Sequence, residues 1–98
     1  MPFAVHSTEE GLLIELSGGV TVRHARELGN CLAARLVSGM KVKVNTRDLE
    51  DIDTSILQML VSLRKTAGTF VVQELSAAFV TAVDRCALRR ELLSKDLL

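Results

Sequence analysis

The chain has 98 residues, enough for one small domain spanning 1–98 and too few for two; its 12 Lys and Arg balance 12 Asp and Glu, so charge gives neither nucleic acid nor an anionic membrane a reason to bind. Hydrophobic residues make up 48% and charged residues 24%, ordinary globular usage that argues against disorder, and three Phe without Trp or Tyr leave few platforms for stacking bases. No apolar run approaches the roughly 20 residues that cross a bilayer, and Met1-Pro2-Phe3-Ala4-Val5-His6 lacks the basic and apolar regions of a secretory signal, so a soluble cytoplasmic protein is expected.

Phe3 to Thr8 alternates apolar and polar positions, Glu9-Glu10-Gly11 reads as a turn, and Leu12 to Leu16 is a second apolar run, which together predict a hairpin. Gly18-Gly19 is expected to end it. Thr21 then caps a first helix, with His24 at the third helical position in place of the Glu of a capping box, an imperfect cap on this reading. The apolar face of that helix is Ala25, Leu28, Cys31, Leu32, Leu36 and Val37, and Ser38-Gly39 stops it. Val42 and Val44, alternating with Lys41, Lys43 and Asn45, predict a third strand. The acidic residues Asp48, Glu50 and Asp51 read as a solvated loop leading to Asp53.

Asp53 suits a helix N-cap, since its carboxylate can accept from the free amides of the first turn, which holds Thr54 and Ser55. Ile56, Leu57, Leu60, Val61 and Leu63 form the apolar stripe of this second helix, and Gly68 closes it. Thr69 to Leu75 predicts a fourth strand. Ser76 caps a third helix with Phe79, Val80, Val83 and Ala87 facing inward; Leu88 to Leu93 extends it or forms a short helix of its own, and Ser94 to Leu98 is expected to fray. Strands alternating with helices from residue 12 onward imply crossover connections and mostly parallel neighbours, with the first strand antiparallel. The expected fold is therefore α/β, a small mixed four-stranded sheet covered by amphipathic helices in the order β-β-α-β-α-β-α.

The chain offers poor material for catalysis. His6 lies on an expected edge strand and His24 in a helix first turn, and neither has a Cys, Ser or carboxylate partner at a diagnostic spacing. The acidic cluster Asp48, Glu50, Asp51 and Asp53 lacks the Gly and the distal Glu of a calcium loop, and no Gly-rich phosphate loop occurs. No catalytic residue, metal or cofactor is expected. Cys31 and Cys86, far apart and each in an expected helix, read as reduced, buried thiols.

The run Asn45-Thr46-Arg47-Asp48-Leu49-Glu50-Asp51-Ile52-Asp53-Thr54-Ser55 is similar to the strand, acidic loop and Asp-Ser-Ser-Gly or Asp-Thr-Ser-Gly motif of STAS domains, named for sulphate transporters and anti-sigma factor antagonists. Gly18-Gly19-Val20-Thr21 resembles the Gly-x-Leu-Asp turn that opens the family's first helix. Leu75-Ser76-Ala77-Ala78-Phe79, followed by Cys86-Ala87-Leu88, is similar to its last strand, Ser-Pro-x helix start and later Leu-Gly-Leu. Three positions depart: the family Gly after the phosphorylatable Ser is Ile56, the Asp of the turn is Thr21, and the linker between the central helix and last strand shrinks to Ala67-Gly68.

The resemblance implies a bacterial protein-binding module and a partner surface drawn from Thr21, Asp53, Thr54, Ser55, Ile56 and Gln58. In its leading form the partner is an anti-sigma factor or histidine-kinase-like ATPase, released when Ser55, or alternatively Thr54, is phosphorylated. A phosphate there gains from the helix dipole and is opposed by Asp48, Glu50, Asp51 and Asp53, so it would act as a switch rather than a staple. In a second form, resembling STAS domains with Asp-Thr at the helix start, the chain is a constitutive subunit of an ABC-type phospholipid transport complex and binds its ATPase. A STAS adaptor in a chemotaxis-type signalling cluster is a third. The chain is expected to be a monomer or weak homodimer.

Overall fold

The computed structural model describes residues 3–37 and 39–93. Two expectations, the helix stop at Ser38 and the fraying of Ser94 to Leu98, fall wholly or partly outside them. The elements follow as β1 (Phe3–Ser7), β2 (Gly11–Val20), α1 (Val22–Arg35), β3 (Lys41–Ile52), α2 (Thr54–Thr66), β4 (Thr69–Gln73), α3 (Ala77–Arg85) and α4 (Arg89–Leu92). One four-stranded sheet has the order β1-β2-β3-β4. As the pattern predicted, β1 runs antiparallel to β2, while β2, β3 and β4 are parallel.

Alternation along the strands turns Phe3, Leu12, Ile14, Leu16, Val42 and Val44 to a single core, where they meet Leu28 and Leu32 of α1 and Ile56, Leu57, Leu60 and Leu63 of α2. Each such side chain contributes about 1.5–3 kcal/mol by leaving water. The alternate positions carry Lys41 and Lys43, both 3.6 Å from the Glu10 carboxylate on an exposed sheet face. Phe79 and Val83 bring α3 into the same core.

Both central strands run further than their sequence suggested. Residues 48–51 are not a loop, and Gly18-Gly19 does not end its strand: Ser17 pairs with Asp48, Gly18 with Leu49, Gly19 with Asp51 and Val20 with Ile52. Register shifts between Glu15 and Ser17 and between Gly18 and Gly19 make this possible, with Gly18 at φ +61°, a left-handed conformation that costs glycine little. The bulges bring Leu49 and Ile52 to the core and leave Asp48, Glu50 and Asp51 exposed.

Other boundaries shift for local reasons. α1 ends at Arg35 with Leu36 extended at ψ 130°, so the helical phase is lost and Val37, expected inward, is 63% exposed. β4 stops at Gln73, where Glu74 adopts φ +52°; the fully buried Thr46 hydroxyl donates to the Glu74 carbonyl at 3.1 Å and accepts from the Ser76 N–H at 3.2 Å. Ser76 caps α3 through Phe79 N–H at 3.1 Å. Ala87, expected on the inward face, lies past the end of α3 at φ +57° and is exposed. Cys31 and Cys86 are free thiols and only half-buried.

The short α2–β4 connection is locked to the α1–β3 connection. Gly68 N–H donates to Met40 O at 2.9 Å and Gly39 N–H to Thr66 O at 3.2 Å, and a Cβ on Gly68 would meet Gly39 O at 2.2 Å. Backbone passes against backbone at this crossing, which requires glycine.

Candidate functional site

Because Val20 and Ile52 are register partners, the starts of α1 and α2 emerge side by side from the ends of β2 and β3. Asp53 precedes α2 in an extended conformation (φ −79°, ψ 154°), the expected N-cap position. Its carboxylate, however, makes no cap on α2. Oδ2 accepts from the Val22 N–H at 2.6 Å, the first amide of α1, while its own N–H donates to Val20 O at 3.0 Å. The correction is physical: a carboxylate beside two helix starts satisfies whichever free amide lies in line, and the neighbouring helix offers a charge-assisted bond at its positive end. In α2 the amides of Ile56 and Leu57 turn back to the Asp53 carbonyl at 3.0 and 3.2 Å.

The start of α1 is better provided than its sequence suggested. Thr21 Oγ1 accepts from the Arg23 N–H at 3.3 Å, and His24 Nδ1 accepts from the Thr21 N–H at 3.0 Å. The imidazole nitrogen thus does the work of the usual Glu and completes a capping box. Val22, next to this cap, is 63% exposed.

The candidate residues of α2 divide by direction. Thr54 is exposed, its Oγ1 3.5 Å from Cys86 Sγ, and Gln58 is exposed one turn later on the same side of the helix. Ile56 is wholly buried and anchors the first turn to the core. The Ser55 hydroxyl oxygen is also buried, and it has no hydrogen-bond partner among the described residues. The structure therefore brings together Thr21, Asp53 and Thr54 at the surface, adds Gln58 beside them, and turns Ser55 Oγ and Ile56 inward.

Three participants escaped the sequence. Val22 gave no signal, because one exposed valine in a first turn fits any helix. Cys86 lies 32 positions from Thr54. His24 did carry a signal, a ring acceptor three residues after a Thr cap.

Elsewhere, His6 Nε2 lies 3.0 Å from Glu15 Oε1 across β1 and β2, a carboxylate partner that spacing did not disclose; both side chains are about half exposed. The Asp84 carboxylate is held below the ordinary carboxylate range by two hydrogen bonds of 2.9 Å from the Arg89 guanidinium. Among the described residues no group of three or more His, Cys, Asp or Glu is placed to hold a metal ion, and no helix is long and apolar enough to cross a membrane. A shallow apolar groove of about 210 Å³ runs between α1 and α2, lined by Leu32, Leu36, Met59 and Leu63 among others. The arrangement at the helix starts presents hydroxyl, amide and apolar groups for contact.

A protein-family model described as "Mlab, STAS domain" matches residues 3–94, nearly the whole chain. No curated protein matches it.

Proposed function

Since the chain belongs to the STAS domain family, we propose that it is a cytoplasmic protein-binding module that docks its partner constitutively through the paired starts of α1 and α2, with Thr54 at the centre of the contact. STAS domains act as regulatory or interaction modules, which supports reading the helix starts as a contact surface. The observation that carries the reading is the contrast within one turn: Thr54 is exposed, while the Ser55 hydroxyl oxygen is buried without a partner. Phosphoryl transfer needs the acceptor oxygen in line with the phosphate, and Ser55 Oγ reaches no incoming nucleotide unless the first turn of α2 opens. That turn is held by the buried side chain of Ile56.

The partner follows from the resemblance of the Asp53-Thr54 helix start to STAS domains that bind the ATPase of an ABC-type phospholipid transport complex. Thr21, Asp53 and Gln58 then frame Thr54, and Ile56 supports the surface from beneath. A second reading, an anti-sigma factor antagonist that binds a histidine-kinase-like ATPase, draws on the exposure of Thr54, which makes that residue the more accessible of the two phosphoacceptors.

Tagged protein is recovered from its native cells, and the captured proteins and the tryptic peptide Asp48 to Arg64 are both read by mass spectrometry. The expected result is a transport ATPase with the peptide unmodified, capture lost in Thr54→Glu and retained in Ser55→Ala. Phosphate on Ser55, or undiminished capture by Thr54→Glu, overturns the proposal; phosphate on Thr54 with a kinase-like partner replaces it by the second reading.

A further inference from the structure

We propose that Asp53 is a positioning residue, a two-point clamp that holds the starts of α1 and α2 in one fixed geometry so that a partner meets them as a single surface. The inference rests on the docking reading above. Asp53 grips the β2–α1 turn on both sides of Thr21: its N–H donates to Val20 O at 3.0 Å and its carboxylate accepts from the Val22 N–H at 2.6 Å. Between the two grips stands the residue whose own side chain caps α1. The grip is made by the residue next to Thr54, so any displacement of the β2–α1 turn passes to the first turn of α2 through one Cα. The α2 start meanwhile goes without a side-chain cap, although an Asp stands at its N-cap. The carboxylate thus joins two helix starts where a cap on α2 would have served one.

The prediction concerns geometry more than folding. Asp53→Ala removes the acceptor, and Val22→Pro removes the donor at a first helical position, where proline fits and where Thr21, at φ −115° and ψ 178°, already has the backbone that precedes proline. Asp53→Asn keeps an acceptor oxygen in place. Val22→Ala also removes the valine methyls but leaves the donor, so it is the control for loss of the valine side chain when Val22→Pro is read.

Amide hydrogen exchange on the full chain reads the clamp, and capture of the partner recovered by the wild-type chain reads its consequence. Asp53→Ala is expected to speed exchange at Val22 about tenfold, in line with loss of one charge-assisted hydrogen bond, with Leu28 and Val44 unchanged. Partner capture should fall about tenfold in Asp53→Ala, and further in Val22→Pro than in Val22→Ala; Asp53→Asn should restore most of the capture and the Val22 protection. Unchanged exchange at Val22 in Asp53→Ala overturns the clamp. Faster exchange with undiminished capture, while Thr54→Glu abolishes capture, overturns its positioning role and leaves the docking surface standing. Capture that survives Thr54→Glu removes the docking reading itself, and the positioning role with it. Should Asp53→Ala fail to fold, equal capture by Val22→Pro and Val22→Ala overturns the proposal without it.

Discussion

The starts of α1 and α2 leave the same end of the sheet and solve one problem in opposite ways. Both expose free amides that need acceptors. At α1 there is more than enough: Thr21 and His24 form a capping box, and the Asp53 carboxylate is added from outside. At α2 no side chain accepts, and the helix is held instead by Ile56, Leu57 and Leu60 in the core. Polar satisfaction fixes one start and apolar burial the other, and the residue that links them is taken from the poorer side. A helix start held by its buried face leaves its outer groups free for contact, which is where the exposed Thr54 stands.

The sharpest way to break this contrast is to remove the apolar anchor. Ile56→Ala should cost about 3 kcal/mol, and Ile56→Gly about 1 kcal/mol more, because a fully buried side chain is lost and glycine weakens a helix. Urea unfolding at constant slope measures both, and a loss below about 1 kcal/mol for Ile56→Ala would show that burial does not hold α2. Next in size, Thr21→Ala and His24→Ala should each cost about 1 kcal/mol, the usual worth of a cap, with faster exchange confined to the first turn of α1. The smallest effect is expected at α2: Ser55→Ala removes a buried hydroxyl that satisfies nothing, so stability should hold or rise by up to ~1 kcal/mol in the same assay. A marked loss there would mean that Ser55 has a partner and that α2 is capped after all.

How far these junctions could be read in advance follows from the range of the forces involved. The stripe from Ile56 to Leu63, the Ser76 cap and the antiparallel-then-parallel strand order were legible, since each depends on residues within a turn or on the alternation of whole elements. The extension of β3 through Asp48 to Ile52 was not. Its apolar positions fall three apart across a bulge, and what makes them strand is pairing with Ser17 to Val20, including a glycine whose left-handed angle has no neighbour to announce it. The site was half legible in the same sense. Asp53 and Thr54 stood out as a helix start, but the direction of a carboxylate depends on an amide 31 residues away, and the inward turn of Ser55 Oγ on packing around the first turn. The His24 cap was missed for a different reason, a rule that admitted Glu and Gln and overlooked a ring nitrogen.

The crossing of Gly39 and Gly68 has a bearing on how such a chain can change over time. Each turn donates an amide to the flank of the other; Gly68 has no room for a side chain at the contact, and Gly39 holds a left-handed φ of +87°. An insertion in either connector would separate the pair and free both donors at once, so the lengths of the two connectors behave as one inherited quantity. Descendants of this chain are expected to lengthen both connectors or neither, and grafting a longer α2–β4 linker into it should succeed only when the α1–β3 turn is rebuilt in the same step.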